Sequence, residues 1–102
     1  MHKLIKKIEE LGLTRFQKDV LISTLSIPKG ETRTYKQIAG SVGHNNAYRA
    51  VGNALKKNPF PLVIPCHRVI KSDGKIGNYV FGCRKKEILL KKEGVKANAK
   101  KK

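Results

Sequence analysis

One cysteine in this sequence stands among residues that could make it reactive. Cys66 follows Pro65 and precedes His67 and Arg68. A cysteine reacts as its thiolate, which an imidazole can generate by taking the proton and which neighbouring cations favour. Adjacent side chains in an extended segment point to opposite faces, so Cys66 and His67 need a helical turn or a bridging water to act together. The segment predicts a nucleophilic thiol; the alternative is a small buried residue without chemistry.

Two helices that precede this segment begin with recognisable capping boxes. Thr14 with Gln17 opens the first helix, and Thr34 with Gln37 opens the second. A proline at 28 and a glycine at 30 end the first helix. The thirteen residues before the first box, MHKLIKKIEELGL, predict a short amphipathic helix.

A third helix is predicted over residues 47–57. Asn45 or Asn46 is placed to cap its beginning, and Asn58 is placed to end it in the left-handed conformation. Gly43 supplies the turn between the second and third helices. A short helix, a glycine turn and a longer helix form a helix-turn-helix outline, which is common in DNA-binding domains.

The third helix carries residues suited to contact with nucleic acid. Arg49 and Lys56 are seven positions apart and therefore share a face, and Tyr48 adjoins them. Gly52 is expected to let another backbone approach closely, because glycine has no side chain. These four residues are the candidate DNA contacts that the helical pattern itself supplies.

The second half of the chain is less regular. Residues 60–65 are apolar but contain prolines, which predicts a rigid, buried, extended connection. Val69 and Ile70, followed by a turn at 72–74, predict a small hairpin or loop.

A final helix is predicted over residues 84–93. Ile88, Leu89 and the stem of Lys92 are expected to face inward. The predicted fold class is therefore mainly α: a small, winged-helix-like helical domain with a helix-turn-helix and, as an option, a minor hairpin near Cys66.

The charge balance narrows the classes of partner. Lys and Arg number 23 against 7 Asp and Glu, giving a net charge of +16. Such an excess favours a polyanionic partner, either nucleic acid or an anionic membrane; the alternative is a lysine-rich solvated surface. The sequence has no apolar run long enough to span a bilayer. Its two cysteines lack the spacing of a zinc site or a disulfide framework, which is typical of a reducing intracellular setting.

The residues around Cys66 resemble the active-site signature of the alkylguanine-DNA alkyltransferases, the methylated-DNA–protein-cysteine methyltransferases. The matching run is IPCHRVI, residues 64–70. The resemblance covers about residues 14–94, the extent of that family's C-terminal domain, and leaves 1–13 as a short extension and 95–102 as a disordered basic tail. Further matching motifs are Thr34-Tyr35 with Gln37, Arg49-Ala50-Val51-Gly52, Asn58-Pro59, Gly77-Asn78-Tyr79 and Glu93-Gly94.

The resemblance implies an activity and a set of catalytic residues. Cys66 would accept an alkyl group from O6 of guanine in double-stranded DNA, once and irreversibly. His67 would act as the base through a water, Glu93 would hold His67, and Tyr35 would donate a proton as guanine leaves. No metal or soluble cofactor is implied. The implied protein is a monomeric DNA-repair protein, free of membranes and associated with the nucleoid in the cytoplasm.

The resemblance also assigns residues to the DNA contact. Arg49 would enter the base stack in place of the everted base, and Tyr35 would crowd the adjacent phosphate. The second helix of the motif would lie in the minor groove.

A third group of residues is assigned to the base pocket. Asn58 would brace the turn around Cys66, Val69 would offer its carbonyl to the guanine amine, and Leu55 would pack near the base. Tyr79 and Val80 would complete the pocket.

Two departures from the family pattern leave alternatives open. Val80 and Phe81 stand where a serine and a glycine are common, which predicts poorer acceptance of benzyl than of methyl groups. Only about 13 residues precede the match, where the family has a second domain. Shortened relatives, the alkyltransferase-like proteins, bind alkylated guanine without transfer because another residue replaces the cysteine. A basic structural nucleic-acid-binding protein is the third interpretation.

Overall fold

The computed structural model describes residues 2–73, 77 and 81–95, and within these ranges the chain is mainly helical. Two short strands and a single 3-10 turn at Cys66–Arg68 accompany the helices. The elements in chain order are α1 (His2–Glu9), α2 (Arg15–Leu25), β1 (Arg33–Thr34), α3 (Tyr35–Ser41), α4 (Tyr48–Lys56), β2 (Val69–Ile70) and α5 (Cys83–Lys92).

The first four helices enclose the main core. Apolar side chains from α1, α2 and α4 are fully buried there, among them Ile8, Leu21 and Val51. Both predicted capping boxes are present. In each, the threonine hydroxyl, of Thr14 or Thr34, accepts from the backbone N–H of the glutamine three residues on, and the side-chain oxygen of that glutamine accepts from the backbone N–H of the threonine. The predicted amphipathic helix at the N-terminus is confirmed as α1.

The predicted helix-turn-helix is confirmed as α3, a turn and α4, and the predicted range of α4 is correct to within one residue at each end, but both of its predicted caps are wrong. Ala47 is the residue before the first turn, and no side chain caps the helix there. Asn58 is not in the left-handed conformation, since Leu62 is the non-glycine residue with positive φ in the described ranges. The Asn58 side chain bonds instead to the backbone of the following loop, so the polypeptide leaves α4 without a left-handed cap.

The strand at Val69–Ile70 forms, but it does not pair with an adjacent segment in a hairpin. It pairs in parallel with β1, and the aligned residues are Arg33 with Val69 and Thr34 with Ile70. The pairing joins segments 36 residues apart and so brings the start of α3 beside the residues that follow Cys66. The turn predicted at residues 72–74 lies partly outside the described ranges, which stop at residue 73 and resume at residue 77.

The orientation of α5 and part of the 60–65 loop also differ from expectation. Ile88 is 46% exposed, whereas Lys86 and Leu90 are buried. A lysine takes an inward position because its amine finds a carbonyl acceptor inside.

Part of the 60–65 loop, which was expected to be buried, is exposed. Leu62 and Val63 are exposed, so the buried part of the loop begins at Ile64.

The C-terminal boundary of the folded part lies beyond residue 94. Val95 is buried with Ile70 and Leu90 in a second, smaller apolar cluster. Val95, the first residue of the predicted disordered tail, is therefore part of the folded domain. The other residues of that tail, 96–102, are outside the described ranges.

Candidate active site

Cys66 lies at a cleft of about 850 Å³ between α3, α4 and the segment that follows β2. Its side chain is almost fully buried, with 6% of the residue's surface exposed. The cleft is lined by Tyr35, Lys36, Tyr48, Arg49, Gly52, Asn53, Leu55, Lys56, Cys66, Lys71, Ser72 and Asp73. Sequence reasoning named seven of these twelve as site residues, so the structure brings the predicted contacts of α3 and α4 together with the thiol.

A braced turn fixes the position of Cys66. The Asn58 amide nitrogen donates to the carbonyl of Ile64 at 3.0 Å, and its amide oxygen accepts from the N–H of Phe60 at 2.8 Å. Next, Cys66 N–H donates to the same Ile64 carbonyl at 2.7 Å, and a 3-10 turn begins. In an extended strand the side chains of Cys66 and His67 would point to opposite faces. The helical turn that they need in order to act together is therefore present.

The surroundings of the thiol favour its protonated form. Burial raises the pKa of Cys66, while a hydrogen bond with the Asn58 side chain and the positive charge of Lys86 act in the opposite direction. Burial is the largest of these effects. The resting residue is thus a neutral thiol, and a base must take its proton when it reacts.

Behind Cys66, three side chains form an ionic network. Glu93 accepts from His67 Nε2 at 2.9 Å, from Arg68 Nε at 2.8 Å and from an Arg68 terminal nitrogen at 2.7 Å. Arg68 also donates to the carbonyl of Ile27 at 2.8 Å, just beyond α2. The bidentate Arg68 contact, with burial opposing it and His67 adding to it, lowers the pKa of Glu93 to about 2.

The charge of Glu93 determines which ring nitrogen of His67 carries a hydrogen. An ionised carboxylate only accepts hydrogen bonds, so Nε2 must be the donor in the 2.9 Å contact. In a neutral imidazole the other nitrogen, Nδ1, then holds a lone pair. Arg68, which the sequence suggested as a cation near the thiol, is instead bonded to Glu93 and Ile27.

Lys86 supplies the cation that Arg68 does not, and sequence reasoning missed it. Its side chain is fully buried, its amine donates to the carbonyl of Val69, and the nitrogen lies 5.7 Å from the centre of the Tyr35 ring. Lys86 ends a run of three basic residues, RKK, at the start of α5. Nothing in such a run distinguishes the one lysine that points inward, so the pattern held no signal for it.

The ring of Tyr35 lies between two glycines. A Cβ on Gly52 of α4 would be 3.9 Å from Tyr35 Cε1, while a Cβ on Gly77 would be 3.1 Å from Tyr35 Oη and 3.3 Å from Cε2. Gly52 therefore faces the Tyr35 side chain, and no described backbone outside its own helix comes within 4 Å of the added Cβ; a close approach by a DNA backbone stays a prediction. Burial, and secondarily the charge that Cys66 carries when it is a thiolate, raise the pKa of Tyr35, so its hydroxyl remains protonated.

The cleft itself is bordered by exposed cations. Arg49 and Lys56 project from α4, as the spacing predicted, while Lys36 and Lys71 were not foreseen. None of the four forms an ion pair with another described residue; the ion pairs of the described chain involve Arg15, Arg33, His67 and Arg68. Asp73 is the one carboxylate among the lining residues, so the cleft has an excess of positive charge.

The predicted base-pocket residues have different outcomes. Leu55 lines the cleft, whereas Val69 is fully buried and its carbonyl already accepts from Lys86. Phe81 is 54% exposed and is not among the lining residues that the structure describes. Tyr79 and Val80 are outside the described residues.

The site joins a helix-turn-helix to a buried cysteine backed by a histidine–glutamate pair. Residues 15–95 match the family model described as 6-O-methylguanine DNA methyltransferase, DNA binding domain. Over 80 residues the chain is 58% identical to a methylated-DNA–protein-cysteine methyltransferase of Methanosarcina barkeri, covering 78% of this chain and 51% of that protein. The chain spans about half the length of the curated relatives it matches.

Solved structures agree with this relationship. Mycobacterium tuberculosis OGT in complex with DNA is 42% identical, with a TM-score of 0.80, over 89% of this chain and 57% of that one. S. pombe Atl1, in complex with damaged DNA containing O6-carboxymethylguanine, is 34% identical with a TM-score of 0.71, over 84% of this chain and 82% of that one. Fold and site define a small helix-turn-helix domain built around one cysteine. The chain belongs to the O6-methylguanine DNA methyltransferase family.

Proposed function

We propose that this chain repairs duplex DNA by transferring an alkyl group from O6 of guanine to Sγ of Cys66. One observation carries the proposal: the thiol borders a cleft large enough for a nucleobase, with an ionic network directly behind it. A structural cysteine needs neither feature. Membership in a family that includes transferases supports the same conclusion.

The reaction balances with the groups at the site. A bond forms between Sγ and the alkyl carbon, the bond between that carbon and O6 breaks, and the electrons of the broken bond stay on guanine. The proton of the thiol leaves through a water to Nδ1 of His67, and guanine takes one proton from the Tyr35 hydroxyl, which lines the cleft. The products are a thioether and an ordinary guanine, so no metal or cofactor is required.

The ionic network explains why His67 can serve as the base. Glu93, held ionised by Arg68, fixes the ring through Nε2 and directs the lone pair of Nδ1 to the other side. When His67 gains a proton it becomes a cation beside an existing anion, which stabilises it. A neutral resting thiol protects Cys66 from oxidation until a substrate arrives.

The position of α4 supports the mode of DNA binding. Arg49 and Lys56 are exposed on its outer face at the cleft, with Tyr48 43% exposed beside them. A base can reach Cys66 only by leaving the stack, and Arg49 is the long cationic side chain placed to fill the gap. We propose that the partner is duplex DNA with an alkylated guanine, and that a monomer binds it through the folded domain, which extends to Val95. In the described part of the chain, no helix has the length and apolar character needed to cross a bilayer.

The direct test is the mass of the protein after reaction. Incubation with duplex DNA that contains one O6-methylguanine should add about 14 Da, one CH2, to Cys66 in one equivalent and no more. Cys66→Ser should bind the same DNA without any gain in mass. A gain located on another residue, or none with the unaltered chain, would overturn the proposal.

The second candidate is a lesion binder without transfer activity. Its support is that Atl1, solved in complex with damaged DNA, is matched over 82% of its length, against 57% for the M. tuberculosis OGT. Cys66 favours transfer. The binder alternative predicts tight binding to lesion DNA and an unmodified thiol.

The size of the transferred group is a further part of the proposal. Val80 and Phe81 replace the serine and glycine of the family pattern, and we expect methyl groups to react faster than benzyl groups for that reason. Reaction with benzylguanine as fast as with methylated DNA would contradict this expectation.

A further inference from the structure

Four cations border the cleft, and they belong to two groups of different origin. Arg49 and Lys56, here called the α4 cations, lie on the helix proposed to contact the DNA groove. Lys36 and Lys71, here called the strand-end cations, come from two other segments. Neither group has an ion-pair partner among the described residues, so both present an unneutralised charge to a ligand.

The parallel strand pair brings the strand-end cations together. Thr34 of β1 lies opposite Ile70 of β2, so the next residues in each strand direction are Tyr35 and Lys71. Lys36 then follows in the first turn of α3. Two lysines that are 35 positions apart in sequence thus emerge at the same end of one small sheet.

The Tyr35 ring lies between Gly52 of α4 and the side chain of Lys71. Its Cε1 edge faces Gly52 of α4, while its Cε2 edge and hydroxyl face Gly77. The Lys71 Cγ lies on that second side, because it and the Tyr35 hydroxyl are both within 3.4 Å of the point where a Cβ of Gly77 would be. Lys71 is therefore across the ring from Gly52 of α4, and Lys36, which directly follows Tyr35, lines the same cleft.

We infer that Lys36 and Lys71 clamp a phosphodiester next to the everted nucleotide and leave undamaged, stacked DNA largely uncontacted. The inference rests on the proposed function. A base that enters the cleft toward Cys66 carries its sugar and phosphates to the cleft opening, and these two lysines and Tyr35 are among the residues that line the cleft. The α4 cations serve general binding to DNA, whereas the strand-end cations contribute binding energy only after rotation, which favours the extruded state.

Salt dependence can separate the two groups of cations. Each phosphate contact by a lysine contributes about 1 to the slope of log K against log salt. Binding is measured in a Cys66→Ser background, which prevents transfer, on duplexes with and without O6-methylguanine. The lesion duplex should show a steeper slope by about 2 than the undamaged one, provided both lysines contact phosphate only with the lesion.

The variant K36Q/K71Q should abolish that difference in slope. We expect it to weaken lesion binding about tenfold or more and undamaged binding by less than about threefold. The matched control is K3Q/K6Q, two exposed lysines of α1 that carry the same charge change and do not line the cleft. The control should preserve the difference between the two duplexes. Equal weakening of both duplexes by K36Q/K71Q would overturn the clamp.

A chemical substitution in the DNA tests the contact itself. A neutral methylphosphonate at the phosphates flanking the lesion should weaken binding by the Cys66→Ser protein and have little further effect on K36Q/K71Q, because the two changes remove one interaction. Additive losses would contradict the clamp. If the chain carrying Lys36 and Lys71 shows no preference for the lesion and no mass gain on Cys66, the proposed function itself fails; a preference that survives K36Q/K71Q overturns the clamp alone.

Discussion

The charged groups on the two sides of Cys66 differ in whether they are paired. On the cleft side, Arg49 and Lys56 are exposed and have no ion-pair partner among the described residues. On the inner side, the Glu93 carboxylate accepts three hydrogen bonds from His67 and Arg68. The cations at the cleft are therefore unpaired and available to a ligand, whereas the charged groups on the inner side are paired with one another and hold each other in place.

The physical reason for this difference is the dielectric environment. An unpaired cation in water costs little, and an approaching polyanion can use it. An unpaired charge inside the protein costs several kcal/mol, so the inner groups are stable only as a bonded set. Substitutions on the inner side should therefore change stability and chemistry together, whereas those on the cleft side should change DNA binding and leave stability nearly unaltered.

Glu93→Gln should give the largest effect on the inner side. It removes the charge that pairs with Arg68 and fixes His67, and the lowering of the Glu93 pKa from 4.5 to about 2 corresponds to about 3 kcal/mol of stability. This contribution is complete above the unfolded pKa and is lost as pH falls through the folded one. Urea unfolding from pH 7 to pH 2 should show about that loss in the unaltered chain and little of it in the variant. Parallel curves for the two proteins would contradict the charge network.

Lys86→Met should slow transfer and lower the stability of the fold. The buried ammonium lowers the pKa of Cys66, so its removal should raise that pKa, and each unit reduces the thiolate population about tenfold. The free energy of unfolding should also fall by about 1–3 kcal/mol, because the buried carbonyl of Val69 loses the donor that Lys86 supplies. The measurements are the single-turnover rate and the ultraviolet absorbance of the thiolate against pH. Lys85→Met, at the exposed neighbouring position, should alter neither.

Arg49→Ala should test the cleft side, with an effect on base extrusion. We expect transfer from duplex DNA to slow about tenfold while duplex affinity falls less than about threefold and stability is unchanged. The defect should shrink on single-stranded DNA, where a base has no stack to leave. Lys56→Ala is the matched change on the same helix, and it should weaken binding to both kinds of DNA without a special effect on rate. Equal losses in rate and affinity for Arg49→Ala would indicate that Arg49 contacts phosphate alone.

Gly77→Ala should have the smallest effect, at the boundary between the two sides. Its φ of +81° costs an L-residue about 1 kcal/mol, and the new Cβ would stand 3.1 Å from the Tyr35 hydroxyl. Gly43→Ala isolates the first cost, because its φ is +84° and nothing lies within 4 Å of the new Cβ. The free energy of unfolding should fall in both variants, and the transfer rate only in Gly77→Ala. A reduced rate in both would show that displacement of Tyr35 is not the cause.

Local signals in the sequence located most elements but not the partners of the inner charges. Capping boxes at Thr14 and Thr34 are made by residues three apart, and the glycine of the helix-turn-helix acts through its own φ. Such features need no knowledge of the rest of the fold. Asn58 shows where local signals fail. It was expected to cap α4, but its side chain forms hydrogen bonds with a carbonyl and an N–H of the loop further along the chain.

The sequence by itself determined the helices, the turn, the basic character of the outer face of α4 and the identity of the candidate nucleophile. The resemblance named His67 and Glu93, but not Arg68 as the partner of Glu93. Only the tertiary structure decided that Arg68 bonds to Glu93, that Lys86 lies inside beside Cys66, and that Lys36 and Lys71 meet at one sheet end. A lysine or arginine is compatible with water anywhere on the surface, so its type and spacing do not say where it goes. Its place is decided by which distant carboxylate or carbonyl can replace the water it loses.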